Sequence, residues 1–224
     1  MERTELKVLF LGKANDTWTS KASKFIKQYT NDLEEYYGEW GTPYPESLKN
    51  WSGDLVISYL SRWILPESLL KSAKLAAINF HPAPPEYPGI GCCNFALYNN
   101  AAVYGATCHL MEAEVDTGAI IRVKRFPILE CDNVSTLLTK TYDIQLSLFY
   151  EVMGEVLTNN SISLTNEKWS EKKYTRAELN ALSEIKYNMS ANEIRKRIRA
   201  TSFKNFQPSI EVGGYRFYFR NEQS

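Results

Sequence analysis

Three short apolar runs constrain the fold more than any other feature of this chain. Lys7–Leu11 (KVLFL), Leu55–Tyr59 (LVISY) and Ala76–Asn79 (AAIN) are each followed by a loop rich in Gly, Pro or polar residues. Continuous apolar runs of this length suit strands buried on both faces. Between them lie helical patterns. Thr19–Tyr29 places Phe25 and Ile26 inward and its lysines outward, and Pro66 favours a helix start for ESLLKSAK. Strands alternating with helices predict a βαβ series and a mostly parallel sheet, hence an α/β class. In such sheets ligands bind beyond the carboxyl ends of the strands. AAIN runs directly into NFHPAPPEYPGIGCCN, so Asn79 and His81 are expected at one of those ends.

Further along, the spacing predicts a helix around Cys93–Asn99, strands at Gly105–Met111 and Ala119–Val123, and a long amphipathic helix over Ser135–Leu157. The aromatic-rich stretch EEYYGEWGTPYPESLKNWSGD gives no clear period. Beyond it the texture stays globular until about residue 158, which divides the chain into 1–158 and a small C-terminal subdomain, 159–224. In the latter, TRAE and SANE fit the capping-box pattern. IEVGGYRFYF reads as a β-hairpin turning at Gly213-Gly214, with an apolar end that can pair between two subunits as a homodimer.

Composition narrows the partners. Lys plus Arg and Asp plus Glu number 26 each, a net charge of zero, which argues against a large nucleic-acid partner. RKRIR (Arg195–Arg199) reads first as a solvated cationic helix face, with an RNA contact and a pyrophosphate clamp as the alternatives. With two histidines and no Cys-x-x-Cys pair, no metal site is expected. The cysteines read as reduced. No window has the ~20 apolar residues of a membrane span, and a cytoplasmic location is expected.

Residues two apart on a strand share a face, so Asn79 and His81 project together. An amide N–H suits a developing oxyanion, and an imidazole can carry a proton near neutral pH. A carboxylate would complete such a set, and Asp116 in Val-Asp-Thr-Gly is the candidate. Asn79-Phe80-His81-Pro82, then Pro88-Gly89, then Val115-Asp116-Thr117-Gly118 resembles the 10-formyltetrahydrofolate-dependent formyltransferase family. The resemblance covers about residues 6–155 and implies a Rossmann-like catalytic domain, to which the small C-terminal helix and β-hairpin segment is an appendage. It makes Asn79, His81 and Asp116 the catalytic set, with 10-formyltetrahydrofolate as formyl donor. LSRWILP resembles the family's folate-pocket segment, so Arg62, Trp63, Ile64 and Leu65, with Val115, Thr117 and Gly118, are expected to line the cofactor site.

The stretch from Pro84 to Tyr98, with GATCHLM after it, most resembles nucleotide-sugar N-formyltransferases. The resemblance implies an acceptor such as dTDP-4-amino-4,6-dideoxyglucose, made for surface polysaccharide (O-antigen). The alternatives are a methionyl-tRNA formyltransferase-like enzyme and a 10-formyltetrahydrofolate hydrolase. Lys13 in the GKANDTW loop, Glu86, Tyr87 and His109 are the candidate acceptor contacts. Trp40, Tyr44 and Trp51 are the candidates for stacking on a thymine. For His109 a structural or sugar-contacting role is expected.

Overall fold

A computed structural model of the chain describes residues 4–220. Six strands form the main sheet: β1 (Val8–Lys13), β2 (Leu33–Gly38), β3 (Gly53–Tyr59), β4 (Ala73–His81), β5 (Val103–Leu110) and β6 (Ile120–Pro127). Their order is β2-β1-β3-β4-β5-β6. β2, β1, β3 and β4 are parallel, whereas β5 runs antiparallel to both β4 and β6. The helices are α1 (Thr17–Ile26), α2 (Glu67–Lys71), α3 (Cys92–Tyr98), α4 (Val134–Asn159), α5 (Arg176–Leu182) and α6 (Ala191–Thr201). A second sheet pairs β7 (Glu184–Ile185), β8 (Ser209–Val212) and β9 (Tyr215–Tyr218). The α/β class and the mostly parallel sheet are as expected.

The apolar run of β1 has a direct cause. Val8 and Phe10 enter one core cluster with α1 and α4, while Leu9 and Leu11 enter another with Leu48, Trp51, Val56 and Leu69. Both faces of the strand are covered, so no polar alternation is possible. Phe149 of α4 sits at the centre of the first cluster. Its ring touches those of Phe10, Phe25, Tyr59, Phe80 and Tyr150 at centroid distances of 4.8–6.4 Å. α1 starts where Asp16 accepts the Thr19 N–H, and α4 starts at a capping box between Asn133 and Thr136.

The differences from expectation are physical. β2 escaped sequence reading because LEEYYG is an edge strand whose Glu34 and Glu35 pair with Lys7 and Lys27, leaving no apolar run. α2 stops at Lys71 because Ala73 already belongs to β4, which is longer than AAIN and carries His81 as its last residue. The SANE box closes on one side only. Ser190 accepts the Glu193 N–H, but the Glu193 carboxylate binds Arg197 and Tyr98 instead. RKRIR is not simply a solvated face either. Arg197 donates to the Ala181, Leu182 and Glu184 carbonyls, and Arg199 to those of Asp132 and Leu129.

The C-terminal elements do not stand apart. Leu179, Leu182 and Ala200 share a buried cluster with Ala83, Phe95, Leu97 and Tyr104, next to the His81 loop. The hairpin turns at Gly213 and Gly214, φ +59° and +81°, the left-handed pair a two-residue loop requires. Among the described residues no helix is long and apolar enough to cross a membrane.

Phe149→Ala should lower unfolding free energy by about 3–5 kcal/mol, measured by denaturant unfolding, because its cavity opens beneath five packed rings.

Candidate active site

β4 and β5 build the floor. Their antiparallel register sets Asn79 opposite His109 and His81 opposite Thr107, so all four side chains start from one face. A bulge at Cys108/His109, where β5 meets β6, adjusts the aim of His109. Asn79 is half-buried, whereas His81 and His109 are buried. The His109 Nδ1 lies 2.7 Å from the Leu110 carbonyl and Nε2 lies 3.1 Å from Asn79 Nδ2. The carbonyl assigns the ring N–H to Nδ1, which leaves Nε2 to accept from the Asn79 amide. Burial, and then the neighbouring His81, push the His109 pKa down to about 4, against the pull of the Leu110 carbonyl and Asp116. At neutral pH its Nε2 lone pair is therefore free to hold Asn79. The structure thus gives His109 a hydrogen-bonding role inside the site.

Asp116 arrives on the loop between β5 and β6. It is buried and adopts a left-handed backbone, φ +54°, uncommon for a residue other than glycine. One carboxylate oxygen accepts the Gly89 N–H at 3.0 Å. The other lies 3.4 Å from His81 Nδ1 and 3.8 Å from His109 Nε2. His81 Nε2 faces the Tyr87 carbonyl at 3.3 Å and the Cys92 sulfur at 3.8 Å. Glycines allow a close backbone approach on each of the two loops. A Cβ on Gly118 would lie 1.8 Å from the Leu110 carbonyl oxygen, and Gly89 (φ +93°) runs against the Tyr174 carbonyl. Asn79, His81 and Asp116 are thus brought together, with an imidazole between a carboxylate and a carbonyl and an amide aimed by a second imidazole. That set can donate hydrogen bonds and move a proton.

The other expected residues divide. Arg62 lies in the loop after β3, the strand next to β4, with its guanidinium 4.7 Å over Trp40 and its Nε buried without a partner. Ile64 beside it is 80% exposed. Trp63 packs against Gly38 and donates to the Thr42 carbonyl. The Leu65 side chain is buried in one cluster with Leu9, Leu11, Leu48 and Leu69. Val115 and Thr117 are exposed, with Thr117 bonded to the Glu114 carbonyl, and Gly118 is buried. Lys13 is not a free cation, because Asp16 holds it at 2.9 Å. Glu86 pairs with Arg125. The Tyr87 ring stacks on Tyr174, and only its carbonyl meets His81. Of the stacking candidates, Trp51 is buried core and Trp40 is exposed.

Sequence reasoning missed Trp169, whose Nε1 donates to the Gly118 carbonyl at 2.8 Å and whose ring meets both histidines. It also missed the Gly89 N–H and Cys92. The one signal was a lone tryptophan in the polar run TNEKWSEKK.

A family model described as formyl transferase matches residues 41–153, half of the chain. The chain belongs to the formyl transferase family. A methionyl-tRNA formyltransferase of Levilactobacillus brevis is 28% identical over 148 residues, covering 66% of this chain and 47% of that protein. The chain therefore spans about half the length of that curated relative. Among solved structures, a 4-N formyltransferase from Francisella tularensis superposes with a TM-score of 0.82 at 22% identity, covering 96% of this chain and 97% of that one. An N-formyltransferase from Helicobacter canadensis, in complex with folinic acid and dTDP-3-aminofucose, gives 0.72 at 19% identity, covering 93% and 85%.

Asp116→Asn should keep the fold, since Asn tolerates the left-handed region and its amide oxygen can still accept the Gly89 N–H. The lost carboxylate favours the charged form of His109, so the midpoint of that ring should fall below about 4, read by NMR titration.

Proposed function

We propose that this protein transfers a formyl group from 10-formyltetrahydrofolate to the amine of a nucleotide-linked amino sugar. The observation that carries the chemistry is the convergence of Asn79, His81 and Asp116 at the carboxyl end of β4. The donor supplies an activated formyl carbon. The residues present fit such a group, because an unpartnered buried Arg62 Nε and the exposed face of Ile64 stand together at the end of the neighbouring strand. Arg62 would meet acceptors of a heteroaromatic ring, and Ile64 would pack against its face. Val115, Thr117 and Gly118 would contribute from the other loop.

The Asn79 amide, one N–H of which is tied to His109, offers its second N–H to the oxygen that gains negative charge. His81 shares that task and, between Asp116 and the Tyr87 carbonyl, takes up the proton an attacking amine must lose, which then passes to the donor nitrogen as its bond to the formyl carbon breaks and tetrahydrofolate leaves. Asp116 orients the ring and balances its charge. Gly89 fixes the carboxylate rather than touching substrate.

A sugar acceptor is favoured over tRNA by two observations. The likeness to the Francisella tularensis 4-N formyltransferase runs over 96% of this chain and 97% of that one. Arg197 and Arg199 are turned inward onto carbonyls and are not presented to a phosphate backbone. A dTDP-linked 4-amino-4,6-dideoxy sugar destined for O-antigen, in the cytoplasm, is the specific form of this reading. Assembly as a homodimer through the hairpin belongs to it as well, since β9 is an edge strand with Tyr215, Phe217 and Tyr218 exposed.

With 10-formyltetrahydrofolate, a panel of nucleotide-linked 3-amino and 4-amino sugars should include one that gains the mass of a formyl group, while Met-tRNA should not. Modification of Met-tRNA alone would overturn the sugar reading. Formate release without an acceptor would point to a hydrolase. Asn79→Ala and His81→Ala should each fold normally and lose about 10²–10³-fold in kcat. Wild-type turnover in either would sink the assignment. Phe217→Glu should shift sedimentation toward the monomer, and an unchanged profile would remove the hairpin from the interface.

A further inference from the structure

Residues 162–174, between α4 and α5, run alongside the site as a strap outside any helix or named strand. Their bonds go to both catalytic loops. Thr165 N–H donates to the Ile120 carbonyl, Ser170 N–H to Pro85 and Tyr174 N–H to Pro88, while the Tyr174 carbonyl accepts the Ile90 N–H. Lys173 Nζ reaches the Val115 carbonyl at 3.1 Å and the Glu114 carboxylate at 2.5 Å. The strap thereby joins the loop that follows His81 to the loop that carries Asp116.

Trp169 is the half-buried residue at its centre. Its indole N–H hangs from the Gly118 carbonyl at 2.8 Å, two residues from Asp116. Its ring meets the His109 ring edge-on at 4.9 Å and 87°, and the His81 ring at 5.7 Å and 74°. Both histidines of the chain therefore lie against one side chain supplied from outside the motif that defines the site.

We propose that Trp169 is a positioning residue for this site, its indole holding the Asp116–Gly118 loop in register with both imidazoles and keeping water from the two rings. The physical case follows from what surrounds them. His109 faces the Asp116 carboxylate, the His81 ring, the Asn79 amide and the Leu110 carbonyl. His81 faces Asp116, the Tyr87 carbonyl and the Cys92 thiol. The low pKa of His109, about 4, is set first by burial. Removing the indole lets water reach His109 and stabilises its charged form. A protonated His109 has no lone pair at Nε2, so the Asn79 amide loses the acceptor that aims it. The acid limb of activity then moves up in pH.

The activity arm of the test rests on the formyl-transfer reading, and the titration arm does not. With two histidines in the chain, both imidazoles can be followed by NMR in wild type, Trp169→Ala and Trp169→Phe. In Trp169→Ala the His109 midpoint should rise by about a unit or more toward its ordinary ~6.5. In the same variant kcat should fall about 10²-fold, with a smaller change in KM for the amine and an acid limb shifted to higher pH. Trp169→Phe keeps an aromatic cover but lacks the N–H, so its His109 midpoint should stay near wild type while kcat falls several-fold. A folded Trp169→Ala in which both rings titrate as in wild type overturns the proposal, even if activity drops, because the residue would then be a mere structural prop. Should Trp169→Ala fail to fold, Trp169→Phe decides, and an unchanged kcat in it overturns the proposal. Should wild type transfer no formyl group, the titration of Trp169→Ala still decides this proposal, and only the functional reading falls.

Discussion

Asn79 and His109 stand opposite each other across two antiparallel strands, and the site depends on that pairing. Side-chain direction alternates along a strand, so a slip of one residue between β4 and β5 would send His109 to the other face. The amide would then lose its acceptor and the imidazole its donor, the second a costly loss because His109 is buried. In the register seen, both needs are met at once. His109 gives its Nδ1 proton to the Leu110 carbonyl and its Nε2 lone pair to Asn79. β5 returns antiparallel to β4 after the His81 loop and α3, and that pairing sets His109 opposite Asn79.

The carboxylate is positioned by a different device. Asp116 belongs to neither strand, and its left-handed backbone sits at a loop bend. The cost of that conformation falls on the segments that surround it: the Gly89 N–H on its carboxylate, the tight passage of Gly118 under Leu110, and the strap residues Trp169 and Lys173. A strained residue persists where its neighbours over-determine it, and here they come from three separate stretches of chain. The C-terminal part is consequently tied to the catalytic centre as well as to α3, whose cluster it shares.

How much of this was legible beforehand follows from the same distinction between local and long-range causes. Strands covered on both faces, such as β1 and β3, announce themselves as apolar runs, and helices with caps, such as α5, announce their starts. The Asn79–His81 pair was readable because period two is a local property. β2 was not, since an edge strand is satisfied by ion pairs and one neighbour. The partner of His109 required the β4–β5 register, which no local pattern encodes. Leu65 was read from its motif as a pocket residue, and its side chain is buried in a core cluster while its chain neighbour Ile64 is exposed. Trp169 lay furthest from reach, because a tryptophan in a polar run gives no hint of the carbonyl 51 residues earlier that will hold it.

Charge placement shows why a net charge of zero is uninformative until partners are known. Lys13 looks like an anion hook at the end of β1, but Asp16 holds it, and Asp16 is also the cap of α1. The Asp16 carboxyl is kept below its usual range despite burial, which works against it, by the Thr19 N–H and Lys13. An anion that took Lys13 would face that carboxylate. Displacing the carboxylate would forfeit a helix cap of about 0.5–2 kcal/mol. The loop after β1 is therefore committed to the fold. Arg62 presents the opposite case, with a buried Nε that nothing in the chain satisfies, over a largely exposed tryptophan. A buried donor without a partner costs roughly 1–3 kcal/mol, which a ligand offering an acceptor there would recover. On the proposed function, these two costs favour a polar ligand at the loop after β3 over one at the helix start.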